Sequence, residues 1–157
     1  MSPVVSVMNE SSRFVVCEDG QEYTDRFTRM LGASFRFVRT GCFVEARAVL
    51  AAAPAAGLLL DLDFRRTPPE QLVDETGAAR PGLGPGERQR LAAVQGLLVL
   101  RALRAQGLAT PVLLFADLDD AAQVAHLQTT LAPVEVLSSR IGLDVIARRL
   151  GQLADPR

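Results

Sequence analysis

Residues Gly57 to Asp63, Gly-Leu-Leu-Leu-Asp-Leu-Asp, constrain the fold more than any other stretch of this chain. A strand with one wet face alternates apolar and polar residues. Three successive leucines bounded by glycine do not alternate, and they fit a strand buried on both faces, as in a parallel sheet. The strand is predicted over Leu58 to Leu62. It stops at Asp61 and Asp63, and in open α/β sheets ligands and chemistry gather at the carboxyl ends of strands. That acidic pair is the first candidate site.

A second fully apolar run, Pro111 to Ala116, again ends in acid, at Asp117, Asp119 and Asp120. Around these two runs the chain alternates short β-prone and helical segments. Pro3 to Met8 could add a short edge strand. Arg13 to Cys17 reads as a strand ending at Glu18, Asp19 and Gly20. Gln21 to Gly32 sets Tyr23, Phe27, Met30 and Leu31 at helical spacing, with Gly32 as the stop. Ser34 to Arg39 alternates Phe35 and Phe37 against arginines, which suits a strand near the sheet edge. Phe43 to Ala53 is an alanine-rich helix with Phe43, Ala46, Leu50 and Ala53 on one face. A long helix is predicted over Glu87 to Gln106, with Leu91, Val94, Leu98 and Arg101-Ala102 in period and Gly107 past its end. Asp119 to Leu131 is a further helix, Val134 to Leu137 a fifth strand, and Leu143 to Leu153 the last helix.

Residues 64–86 break this rhythm. Pro68, Pro69, Pro81 and Pro85, with Gly77, Gly82, Gly84 and Gly86, exclude a regular helix. Gln71 to Arg80 reads as a small hairpin turning near Thr76-Gly77. Loops this long inside compact domains are usually functional or disordered. The segment is expected to be an ordered flap over the acidic site that presents a partner surface. Arg65 or Arg66 would then neutralise Asp61 or Asp63 without a metal.

A chain of 157 residues supports one core. A formal net charge of -1 recommends neither nucleic acid nor an anionic membrane as partner. All 17 basic residues are arginines, so lysine-dependent chemistry is excluded. Cys17 and Cys42 cannot build a disulfide framework, and as reduced, partly buried residues they suit a cytoplasmic location. Neither lies near the sole histidine in sequence, so a nucleophilic thiol is not indicated. No signal peptide is apparent, and no apolar stretch reaches the ~18 residues of a membrane span.

Five strands each followed by a helix predict an α/β, parallel (βα)5 three-layer sandwich. The expected organisation is a leader over 1–12 and a single domain over 13–155, with the insertion 64–86 after strand 3. In this arrangement the chain resembles the receiver domains of two-component response regulators, from about Arg13 to Leu153 apart from the insertion. Single motifs are weak; their order and spacing together are more specific. The resemblance implies a flavodoxin-like fold with a parallel sheet in the order 2-1-3-4-5. It also matches Glu18 and Asp19 to the family's acidic pair, and Asp61 to its phosphoacceptor. Those three acids, with a backbone carbonyl near Asp63, would hold Mg²⁺ during phosphoryl transfer.

Two parts of that machinery are missing. The family's fourth strand ends in a Ser or Thr that bonds the phosphoryl group, and here Ala116 stands there. Its fifth strand ends in a lysine followed by proline, and the matching residues are Ser139 and Arg140. Arginine carries the charge but not the geometry of lysine. The resemblance therefore implies a degenerate receiver that works by contact with another protein or by self-association. No independent enzymatic turnover is expected. The chain ends soon after its last helix, so no output domain is expected to follow.

Each candidate also has a structural reading. Glu18 and Asp19 could cap the following helix, and Asp63 could pair with Arg65 or Arg66. The Asp117, Asp119, Asp120 cluster reads as a helix N-cap, Ser138 and Ser139 as caps of the last helix, and His126 as a surface residue. A different function class is also open. Leu-Asp-Leu-Asp is similar to the first motif of haloacid dehalogenase-like phosphatases, with Asp61 as nucleophile, Asp63 as general acid/base and Asp119-Asp120 as later metal-binding acids.

Overall fold

The computed structural model describes residues 12–155. The strand expected at Pro3 to Met8 lies outside the described residues. Five parallel strands form one sheet: β1 (Arg13–Cys17), β2 (Arg36–Thr40), β3 (Gly57–Asp61), β4 (Val112–Phe115) and β5 (Val134–Leu137). Their order is β2-β1-β3-β4-β5, the flavodoxin-like order. The central strands are buried on both faces, as their apolar runs demand. Leu58, Leu60, Val112 and Leu114 point into one cluster, while Leu59, Leu113 and Phe115 point into the other. On edge strand β2, Arg36 and Arg39 are exposed.

The helices divide between the two faces. Helices α1 (Glu22–Leu31) and, at the C-terminal end, Leu143–Ala154 cover one face through Phe27, Ile146 and Leu150. Phe14, Phe27, Phe35, Phe37, Phe115 and Tyr23 form an aromatic patch there, with Tyr23 stacked on Phe115 at 5.0 Å between centroids. The opposite face carries α2 (Phe43–Ala52), α3 (Pro85–Ala93), α4 (Gln95–Ala105) and α5 (Ala121–Thr130). The terminal helix is therefore α6.

Helix periodicity located the elements better than their exposed positions. Met30, in period with Tyr23 and Phe27, is 56% exposed; Phe27 is the residue of α1 that is fully buried, with Tyr23 and Leu31 packed beside it. Gly32 follows α1 as expected but keeps a right-handed φ of -67°, so it is not a left-handed stop. Gly107 is one, with φ +81°, and the Leu108 N–H reaches back to the Leu103 carbonyl there. Pro85 and Gly86, assigned to the insertion, open α3, where proline at the first turn loses no hydrogen bond.

The long helix expected over Glu87 to Gln106 is two helices, broken at Val94 (φ -120°, ψ 18°). The cause is a main-chain exchange with the end of β3. The Phe64 N–H donates to the Ala92 carbonyl (2.8 Å), and the Gly96 N–H donates to the Leu62 carbonyl (2.9 Å). Ala92 and Gly96 would bond to each other in a continuous helix, so the loop takes both groups out of the ladder. Val94, in period for the core, is turned outward and 41% exposed.

The insertion is packed. Phe64, Leu72 and Val73 are buried in the main core. The hairpin at Gln71 to Arg80 is present in reduced form, as a Val73–Ala79 antiparallel bridge with Gly77 at φ +86°. Its turn abuts the Phe43 ring and the Gln106 amide. The hairpin therefore lies against the helical layer, and only the first residues of the insertion meet the carboxylates.

Candidate functional site

Strands β1 and β3 pair with Cys17 beside Leu60, so Glu18 and Asp61 leave the sheet next to each other. Their side chains then part. Glu18 is buried and accepts the main-chain N–H groups of Tyr23 (3.1 Å) and Thr24 (2.8 Å) and the Thr24 hydroxyl (2.6 Å). These N–H groups belong to the first turn of α1, which leaves them unpaired and partly positive. Of the two readings of Glu18, capping is the one the contacts describe.

Asp19 is held by the insertion. Its Oδ2 accepts the Arg66 main-chain N–H (2.9 Å) and its Oδ1 accepts Arg66 Nη2 (3.0 Å). The same guanidinium forks onto Glu22, with Nη1 to Oε2 at 2.8 Å and Nη2 to Oε1 at 2.9 Å. Arg66 holds the Glu22 carboxyl down to about 2, and the two acids push the Arg66 pKa up further. Asp63 accepts the Arg65 main-chain N–H (2.9 Å) and Arg65 Nε (2.6 Å). The expected pairing of Asp63 with Arg65 is therefore present. Arg66 goes instead to Asp19 and Glu22.

Asp61 is left half-buried, without a paired cation among the described residues. Its Oδ1 accepts the Leu62 N–H at 2.9 Å. Burial pushes its pKa up to about 6, against that hydrogen bond, and the charges of Asp19, Glu18 and Asp63 add to the rise. The half-buried Tyr23 hydroxyl is pushed to about 12 by burial and then by Asp61, Glu18 and Asp117, which places the ring at the same acidic end. A carboxyl whose folded pKa exceeds its unfolded one binds its proton more tightly when folded. Its contribution is fully present below about pH 4 and is lost as pH rises through about 6. Asp61→Asn is therefore expected to be more stable than wild type at pH 7.5, by about 1–2 kcal/mol after discounting for partial exposure. The advantage should fade below about pH 4. Urea denaturation at both pH values measures it, and a destabilised variant at pH 7.5 would mean that the carboxylate is paired.

The ends of β4 and β5 bind each other. Ala116 is buried and offers no hydroxyl. Asp117 accepts the Ser138 hydroxyl (2.9 Å), the Ser139 hydroxyl and the Ser139 main-chain N–H (3.1 Å). These bonds, Ser139 first, hold the Asp117 carboxyl below its usual range. Ser138 and Ser139 thus do not cap α6, which starts after Gly142. Of the acids after β4, Asp120 is the N-cap of α5, accepting from the Ala122 and Gln123 N–H groups. Arg140 is exposed and its main-chain N–H bonds Ser138 Oγ (3.2 Å). His126 lies exposed on α5. Cys17 and Cys42 are buried, and burial pushes the Cys17 thiol up to about 12, which makes it inert.

A Mg²⁺ site requires carboxylate oxygens free to converge on one point. Both oxygens of Glu18 face α1 and both of Asp19 face Arg66. Among the described residues no group of three or more His, Cys, Asp and Glu side chains is placed to hold a metal ion. In this arrangement the acids do not fit the ion that the resemblance implies.

Glu22, Thr24, Tyr23 and Gly20 escaped the sequence reading of this site. Their signal was present, in the acidic-glycine run Glu18-Asp19-Gly20 placed immediately ahead of Gln21, the N-cap position of α1. What assigned Arg66 to that run was the tertiary fold alone.

No family model matches the sequence, and no curated protein matches it. Solved structures do match. The receiver domain of Francisella response regulator 1452 superposes with a TM-score of 0.65 at 14% identity, covering 92% of this chain and 98% of that one. The chain has the receiver-domain fold. The BeF3-activated N-terminal receiver domain of Klebsiella pneumoniae RstA gives 0.60 at 19% identity, covering 91% and 98%. Vibrio cholerae chemotaxis protein CheY4 gives 0.61 at 12%, covering 90% and 98%. At these identities the likeness to receiver domains is one of fold. The phosphatase alternative finds no support among these neighbours, and its acid/base position, Asp63, is committed to Arg65.

Proposed function

We propose that this chain is a receiver-like signalling protein of the two-component type, in which residues 13–155 act as one domain. It works through contact with another protein or a second copy of itself, not through turnover of a substrate. Asp61 occupies the phosphoacceptor-like position, but the switch that would read a phosphoryl group is incomplete. The observation that carries this reading is at β4. Buried Ala116 has no donor for a phosphoryl oxygen, and the neighbouring hydroxyls of Ser138 and Ser139 are already bound to Asp117. A ligand shifts a two-state equilibrium only by its differential contacts with the two states. With those contacts missing, a phosphoryl group on Asp61 has little to pull on.

Incubation with acetyl phosphate and Mg²⁺, followed by intact-mass and sedimentation measurements, tests this. The expected result is an unchanged oligomeric state whether or not Asp61 is labelled. Stoichiometric labelling with a large change in association would show a working switch and overturn the proposal.

A further inference from the structure

We propose that Arg66 is the resident cation of the acidic end, holding in cis the place on Asp19 that a hydrated divalent ion would take. This rests on the reading of the acidic strand ends as the functional centre. The experiment below measures cation binding alone, so its failure is separate from a failure of the signalling proposal.

The contacts around Arg66 are complete and directional. Glu22 takes the guanidinium fork through both oxygens (2.8 and 2.9 Å), and Asp19 takes Nη2 and the main-chain N–H (3.0 and 2.9 Å). Paired N–H···O contacts of this kind suit the planar guanidinium and not a lysine ammonium. The Asp19 side chain is only 6% exposed although Arg66 is mostly in solvent, so the arginine covers the acid. Gly20 shapes the cradle: a Cβ there would lie 2.5 Å from Arg66 Nη2 and 2.9 Å from Cζ. Glu18 could leave for a metal only by uncapping α1.

The two cations exclude each other. Mg²⁺ needs oxygens in near-octahedral array at about 2.0–2.1 Å, whereas Arg66 already occupies both Asp19 oxygens. The arginine also arrives on the insertion, so the pairing ties the start of the insertion to the end of β1. Cation binding and closure of that junction are therefore opposed, and the coupling acts equally in both directions. Asp19 stays paired with a cation without a metal.

Mn²⁺ and Mg²⁺ titrations of the full chain test this, read by calorimetry and by the fluorescence of Tyr23, the sole tyrosine in a chain without tryptophan. Arg66→Ala is expected to bind Mn²⁺ at least about fivefold more tightly than wild type, the lower end of ordinary coupling between sites. Adding Asp19→Asn to that variant should remove the gain. Arg66 is exposed, so the variant should fold, and its far-UV circular dichroism checks this. A gain below about fivefold, including no binding by either protein, overturns the proposal. So does a gain that survives Asp19→Asn, which would place the ion elsewhere.

Discussion

Gly96→Ala is expected to destabilise the protein by about 3 kcal/mol, the upper end of ordinary overpacking. A Cβ at this position would collide with the Asp61 carbonyl oxygen, and would lie 2.8 Å from Leu62 Cα and 2.9 Å from the Asp61 carbonyl carbon. All three are backbone atoms at the end of β3, so no rotamer change relieves the contact. Helix α4 cannot withdraw as a body either, because Val99, Leu100 and Leu103 anchor it in the core. Withdrawal would also part the Gly96 N–H from the Leu62 carbonyl, and a buried unmade bond costs about 1–3 kcal/mol. Urea denaturation should show a lower midpoint with an unchanged slope. A loss below about 1 kcal/mol would mean that the helix does not approach the strand end this closely.

Gln95→Ala is expected to cost a similar amount, about 3 kcal/mol, but to act on the insertion. The Gln95 side chain is buried and bonds both main-chain groups of Val73, accepting its N–H at 2.8 Å and donating to its carbonyl at 3.0 Å. One amide thus stands in for a missing neighbouring strand. Its removal strands two buried backbone groups at about 1–3 kcal/mol each. The segment can escape part of that cost by opening to water, so the effect should be local. Hydrogen exchange at Val73 and Asp74 should rise steeply while the amides of β1, β3 and β4 stay protected. Uniform loss of protection would show that the hairpin belongs to the global folding unit.

Much of the architecture was legible because burial leaves a one-dimensional trace. Leu58 to Leu60 and Val112 to Phe115 had to be central strands, since no polar residue interrupts them. Phe35 and Phe37 alternating with arginines had to lie nearer an edge. Gly77 marked the turn of the small hairpin because few other residues accept its positive φ. The candidate site was legible only to the extent that strand ends carry acids. Glu18, Asp19 and Asp61 were correctly brought to one end of the sheet, yet each carboxylate found a different partner. Glu18 turned to the first turn of α1, Asp19 to Arg66, and Asp61 to its own neighbour's N–H. Residue types near a strand end do not say which donor is closest once the chain has folded.

By itself, then, the sequence determined the parallel sheet, its buried centre, the positions of the turns, the lack of any lysine and the lack of a hydroxyl at Ala116. These follow from side-chain polarity, periodicity and residue identity, which are local properties. The tertiary structure alone decided that the helix after the insertion breaks at Val94, that Gln95 holds Val73, and that Arg66 closes over Asp19. Each depends on hydrogen bonds between groups 22 to 47 residues apart along the chain. Such bonds are chosen by which backbone and side-chain groups meet after the core has packed, and no local pattern records that meeting.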